Sequence, residues 1–243
     1  MRLYAVSVLI AVVVMIPNIS TSETVSTINE LVTLYDVEGC KECHSDIASN
    51  WKNSYQARSA VSPAVLSSIK SNITNSTRSK KIELVRACFS CHAPQIKDAS
   101  DELVEHITEL IIMATDEKVP AKRENAKREL SKLNINCRIC HMVKGMPEGK
   151  ISPNIIYGAG WSEHNNNHME EYGFDTLKSE YLLSESFCTS CHRNSYPDIP
   201  TAIYSSLHKK CSKQFTANDE NRACHDCHMD INHNFPKNLN INK

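Results

Sequence analysis

Large aromatic side chains are rare in this sequence, with five Phe, two Trp and eight Tyr among 243 residues, and glycine is scarcer still, at six. The middle and end of the chain supply too few large apolar residues to fill one extended aliphatic core. Something other than aliphatic side chains is therefore expected to occupy much of the interior. An excess of either charge is also missing: 27 Lys and Arg stand against 28 Asp and Glu, for a formal net charge of −1. The densest basic run, Lys122 to Lys132, is interleaved with Glu and reads as a solvated helix face. No basic stripe exists, and nucleic acid is not an expected partner. Apolar runs of membrane-spanning length, roughly 20 residues, are missing as well. The longest, Leu3 to Ile16, follows Arg2 and stops at Pro17. With the Ser/Thr-rich stretch behind it, and small residues at Ser20 and Ser22, it reads as a signal peptide over residues 1–22. Residues 23–243 are then the mature domain, with an uncleaved N-terminal anchor as the alternative. Export puts the chain in the periplasm or outside the cell, where cysteines can serve as disulfides, metal ligands or cofactor anchors.

Cysteine is what the sequence has in plenty. Ten of its eleven cysteines form five Cys-x-x-Cys pairs, each followed at once by His. They are Cys40/Cys43/His44, Cys88/Cys91/His92, Cys137/Cys140/His141, Cys188/Cys191/His192 and Cys224/Cys227/His228. Zinc sites use such pairs without requiring His at the next position. Five such histidines would arise by chance about once in a million sequences. The pattern is the attachment signature of c-type haem. Two thiols bond the vinyl groups of the porphyrin, and the adjacent His lies under the iron as its proximal ligand. Five covalent haems in the mature chain mean one macrocycle per roughly 44 residues, which accounts for the thin aliphatic content. Neighbouring haems at that density are close enough for electron tunnelling.

The motifs begin at residues 40, 88, 137, 188 and 224, so the first four are spaced at about fifty residues, a period that suggests repeated units. Between the second and third, apolar residues at helical spacing predict helices over 98–114 and 121–133, separated by Pro120. Residues 145–160 contain Gly and Pro and read as a loop, and the Asn-rich tail after Phe235 reads as frayed. No convincing strand pattern is found. The expected fold is mostly α and loop-rich, with helices wrapped around closely packed haems.

Six further histidines, His106, His164, His168, His208, His225 and His233, are candidates for the second axial positions. Most electron-transfer haems are six-coordinate, because a filled coordination sphere changes little between oxidation states. On its spacing, His106 falls on the apolar face of its helix, where a haem would pack, with a satisfied core histidine as the alternative. His208 precedes the last motif and suits a neighbouring haem, as does His233, five residues beyond that motif. His164 and His168 are one helical turn apart, so one of them suffices, and His164 is favoured. His225, inside the last motif, reads as a solvent or supporting residue. Methionines near the motifs, including Met142 and Met229, are less attractive ligands. Cys211 is left over, as a free thiol, an intermolecular disulfide partner or an axial thiolate.

Several stretches resemble the cytochrome c-554 family. They are Cys40 to His44 followed by Trp51 and Ser54, the run Gly160-Trp161-Ser162-Glu163-His164, and Cys227-His228-Met229 with His233-Asn234-Phe235-Pro236 beyond. The resemblance implies helices around a haem stack, bis-His irons with one sometimes open, and His164, His208 and His233 as distal ligands. The chain departs from the family in having five motifs rather than four, and Gln56 where similar proteins usually place His.

Three functions follow as expectations. The first is an electron carrier working with redox partner proteins, and not an enzyme. The second is a haem enzyme with one open iron acting on a small nitrogen oxide, for which Gln56 is the motive. The third is a subunit of a cytochrome filament or of a membrane-bound oxidoreductase.

Overall fold

A computed structural model describes residues 24–116, 118–143, 155–158, 165–182 and 184–192, together with Met229 and His233. The chain is mostly helical, as expected. Helix α1 (Ile28–Leu34) starts from a capping box in which the Thr27 hydroxyl accepts from the Glu30 amide while the Glu30 carboxylate accepts from the Thr27 amide. Two short helices follow, α2 (Glu38–Cys43) and α3 (Ser45–Lys52), with His44 at the junction.

The next four helices build a bundle. They are α4 (Pro63–Ile73), α5 (Arg78–His92), α6 (Asp101–Ala114) and α7 (Pro120–Ser131). Each start has a local cause. Proline occupies the first turn of α4 and of α7, where its missing N–H costs nothing. Thr77 caps α5 and Ser100 caps α6, whose first turn carries Asp101 and Glu102 at the positive end of the helix dipole. The two predicted helices between the second and third motifs are thus present, α6 beginning three residues later than its spacing suggests because Pro94–Asp98 forms a 3₁₀ turn.

The bundle is closed by an aliphatic core. Leu66, Ile69 and Ile73 of α4, Ile82, Val85 and Phe89 of α5, Leu103, Ile107 and Ile111 of α6, and Leu130 of α7 belong to one buried cluster with Leu31 of α1. Interior filled by side chains alone is therefore more extensive than composition suggests, because the apolar residues are concentrated between residues 28 and 133. Polar links fix the helices against one another. Arg78 pairs in bidentate fashion with Glu105 at 2.7 Å, and Arg86 donates to the Ile96 and Ala99 carbonyls and to Asp101 at 2.8–3.0 Å.

Beyond the bundle, Cys140 and His141 of motif three lie in a π turn, Ile139–Val143. Strand β1 (Ile155–Gly158) pairs in parallel with β2 (Asp175–Lys178), Tyr157 standing opposite Leu177. The expectation of no strands is corrected here. Four residues per strand are too few to show a period of two, and β1 falls within the stretch read as loop. Helix α8 (Asn165–Tyr172) lies between the strands and α9 (Glu185–His192) follows them. Among the described residues, no helix is long and apolar enough to cross a membrane.

Candidate haem-binding site

Three of the described attachment motifs end a helix. Cys40 and Cys43 lie in α2 with His44 as its C-cap, Cys88, Cys91 and His92 form the last turn of α5, and Cys188, Cys191 and His192 end α9. Helical winding sets residues at i, i+3 and i+4 on one face, so one turn gathers both thiols and the imidazole. In motif three, Cys137 precedes a π turn that holds Cys140 and His141, a variant found frequently at functional sites. In motif two, the residue after the first thiol is Phe89, fully buried in the bundle core, and Cys88 packs against that core. The fifth motif, Cys224, Cys227 and His228, lies outside the described residues, as do His164, His208, His225 and Cys211.

Motifs one and three come together. The Cys40 and Cys137 side chains share a hydrogen bond. Asn136 donates to the Tyr35 carbonyl at 3.0 Å and Arg138 to that of Leu34 at 2.9 Å, tying the start of motif three to the end of α1. Below them the Tyr35 phenol donates to Asp98, and Tyr35 and Ile139 form a small buried cluster of their own. Burial and the Asp98 carboxylate both push the Tyr35 phenol far above its ordinary range, so it stays protonated and donating.

Around this junction the histidines meet in pairs. The His44 and His168 rings face each other with centroids 5.9 Å apart and planes 14° from parallel. The His141 and His233 rings also lie 5.9 Å apart, tilted by 35°. The Trp51 ring stands edge-on to His233 at 6.4 Å. His233 has φ 56°, in the left-handed region where His is among the more tolerated non-glycine residues, and such outliers collect at functional sites.

This separation fits a metal between the rings. Imidazoles bind a metal through ring nitrogens, edge towards edge, and two metal–nitrogen bonds of about 2.0 Å plus the ring radii then put the centroids roughly 6 Å apart. Among the described residues, no group of three or more His, Cys, Asp or Glu is placed to hold a metal ion. Paired histidines suit an iron whose other four positions belong to a porphyrin. Nδ1 of His168 is buried with no hydrogen-bond partner among the described residues, a condition that costs about 1–3 kcal/mol and that coordination through Nδ1 itself would relieve. His141 has its tautomer settled. Its Nδ1 lies 2.7 Å from the Tyr157 carbonyl of β1, which can only accept, so Nδ1 carries the proton and Nε2 is left for a metal. Burial pulls the His141 ring below its ordinary pKa, with nearby His233, His44 and His168 adding to the effect, while the bond to Tyr157 opposes it. Burial, with His44 beside it, does the same to His168. Both shifts favour the neutral ring, the form in which a histidine ligates.

One sequence expectation changes, and one further histidine comes into view. His106 is exposed and lies 3.8 Å from Glu109, not on the apolar face of α6. The buried stripe is centred near Ile107, and His106 falls about 100° from that centre, past its edge. His168, passed over in favour of His164, is the ring that meets His44. Residue spacing carries no signal that singles it out.

Comparison with known proteins bears on part of this chain. The family model described as cytochrome c554 and c-prime matches residues 39–111. That match supports a cytochrome c family. Cytochromes of this kind carry covalent haem c and transfer electrons with redox partners. The matched stretch holds motifs one and two and most of the bundle up to α6. No curated protein and no solved structure matches the chain.

Proposed function

We propose that this chain is an exported cytochrome that passes electrons through five covalently bound haems, between partner proteins of a respiratory or extracellular chain. The observation that carries the proposal is the pairing of His44 with His168 and of His141 with His233, each at 5.9 Å between ring centroids. Each pair joins a motif histidine to one from elsewhere in the chain, which is how two axial ligands reach one iron.

Haem, when bound, supplies one-electron chemistry at potentials that ligation and burial set. The chain supplies the rest. Cys40 and Cys43, and Cys137 and Cys140, are the thiols that anchor the first and third haems, with His44 and His141 as proximal ligands. His168 and His233 are the second ligands. A closed coordination sphere resists substrate entry and keeps the structural change on reduction small, which favours transfer over catalysis. Contact between Cys40 and Cys137 makes the first and third sites neighbours along the electron path. The motifs Cys88/Cys91/His92, Cys188/Cys191/His192 and Cys224/Cys227/His228 repeat the same signature and account for three further haems. The apolar segment over residues 1–22 supports export to the periplasm or beyond.

Expression with a haem-maturation system, followed by mass measurement, should show five added haems. A reduced sample that ignores carbon monoxide would establish that every iron is closed. A response from about one haem in five would favour the nitrogen-oxide enzyme with an open iron instead.

A further inference from the structure

We infer that Tyr172, seated on Gly39, is the latch that holds His168 opposite His44. The inference rests on the proposed axial pairing and adds a positioning residue to it.

Gly39 immediately precedes Cys40. Glycine inside a helix is unfavourable relative to alanine, and α2 has only six residues, so its presence needs a reason. The reason is space. A Cβ on Gly39 would meet the Tyr172 ring at 2.5 Å from Cε1 and 2.9 Å from Cζ. The aromatic ring therefore rests directly on the backbone of the turn that carries the first thiol. Its hydroxyl lies 3.3 Å from the Gly39 carbonyl and 3.4 Å from the Glu42 carboxylate, two acceptors for its one proton that bracket Cys40.

Tyr172 and His168 are one turn apart on α8, so a ring fixed on α2 by the first fixes the direction of the second. The helix stops at once after the latch. Gly173 takes the left-handed φ of 67° and donates to the Met169 carbonyl at 3.0 Å, an αL cap that glycine adopts without strain. The Phe174 amide then donates to the His168 carbonyl at 3.1 Å. The Phe174 ring lies under the Arg138 guanidinium, 4.9 Å from its centroid, and Arg138 stands between the thiols of motif three. Thus Tyr172 ties α8 to the turn of motif one, and Phe174, just past its end, ties it to motif three. Tyr172 is 40% exposed, and its ring belongs to neither apolar cluster. Its contacts serve the position of α8 rather than the packing of the bundle.

The test uses the full-length protein with its haem complement verified by mass. Four variants are compared by carbon monoxide difference spectra of the reduced form and by low-spin signals of the oxidised form. H168A sets the reference, and should make about one haem in five reactive toward carbon monoxide. G39A, which pushes the ring away, and Y172A, which removes it, should reproduce that signature. Y172F keeps the ring on Gly39 and should stay close to the parent spectrum. G39A and Y172A are opposite perturbations, so agreement between them separates lost positioning from crowding. If H168A opens one haem while G39A and Y172A open none, the latch is refuted and the axial pairing stands. If H168A itself opens none, the pairing fails and the latch with it.

Discussion

At the scale of single residues, the site separates anchoring groups, which are legible in the sequence, from facing groups, which are not. The attachment motifs announce themselves because covalent chemistry demands a fixed spacing along the chain. A distal ligand meets only a spatial demand, and neither residue spacing nor apolar neighbours fixes it. His106 shows this well: helical periodicity alone set it near the apolar stripe, and a rotation of about 100° puts it in solvent. Two substitutions follow from this contrast. H233A should expose the iron of motif three, read as carbon monoxide binding by about one haem in five. H106A should leave every haem band and midpoint potential unchanged, with stability altered by no more than about 0.5 kcal/mol. A spectral change in H106A would return that histidine to the ligand set.

Among the elements, helices were more readable than strands because their signals are redundant. Helix α6 has a capping serine, acids in its first turn and an apolar stripe, all agreeing. Strands β1 and β2 have four residues each, and what matters in β1 is a backbone carbonyl that no side-chain pattern could reveal. Three predictions belong at this level. F89A removes a fully buried ring from α5 and should cost about 3–5 kcal/mol in denaturant unfolding, together with reduced haem occupancy at Cys88 and Cys91. T27A removes the α1 cap and should cost about 1 kcal/mol. Hydrogen bonds from the Ser26 amide, then from the Thr27 side chain and amide, hold the Glu30 carboxyl below its ordinary pKa. A depressed carboxyl stabilises the fold above its unfolded pKa and loses that contribution as pH falls through the folded one. Stability measured against pH should therefore fall less steeply on the acid side in E30Q than in the parent.

The whole molecule combines two kinds of interior. Between residues 28 and 133 an aliphatic cluster holds helices together, while the junction of motifs one and three is lined by imidazoles and thiols. Average composition blurs these into one aliphatic-poor chain, which is why the bundle was not anticipated. The aliphatic cluster has a thermal consequence. Side-chain burial there does not depend on any iron–nitrogen bond, whereas the histidine pairs, on the proposed axial pairing, are only as durable as the ligation between them. On heating, the visible absorbance that reports ligation should change at a lower temperature than the helical signal in the far ultraviolet, and the two melting curves should not coincide. Coincident curves would mean that the bundle and the haem junction melt as one unit. Separate curves would describe a protein that loses its conductivity before its shape, and that can regain the first on cooling because it never gave up the second.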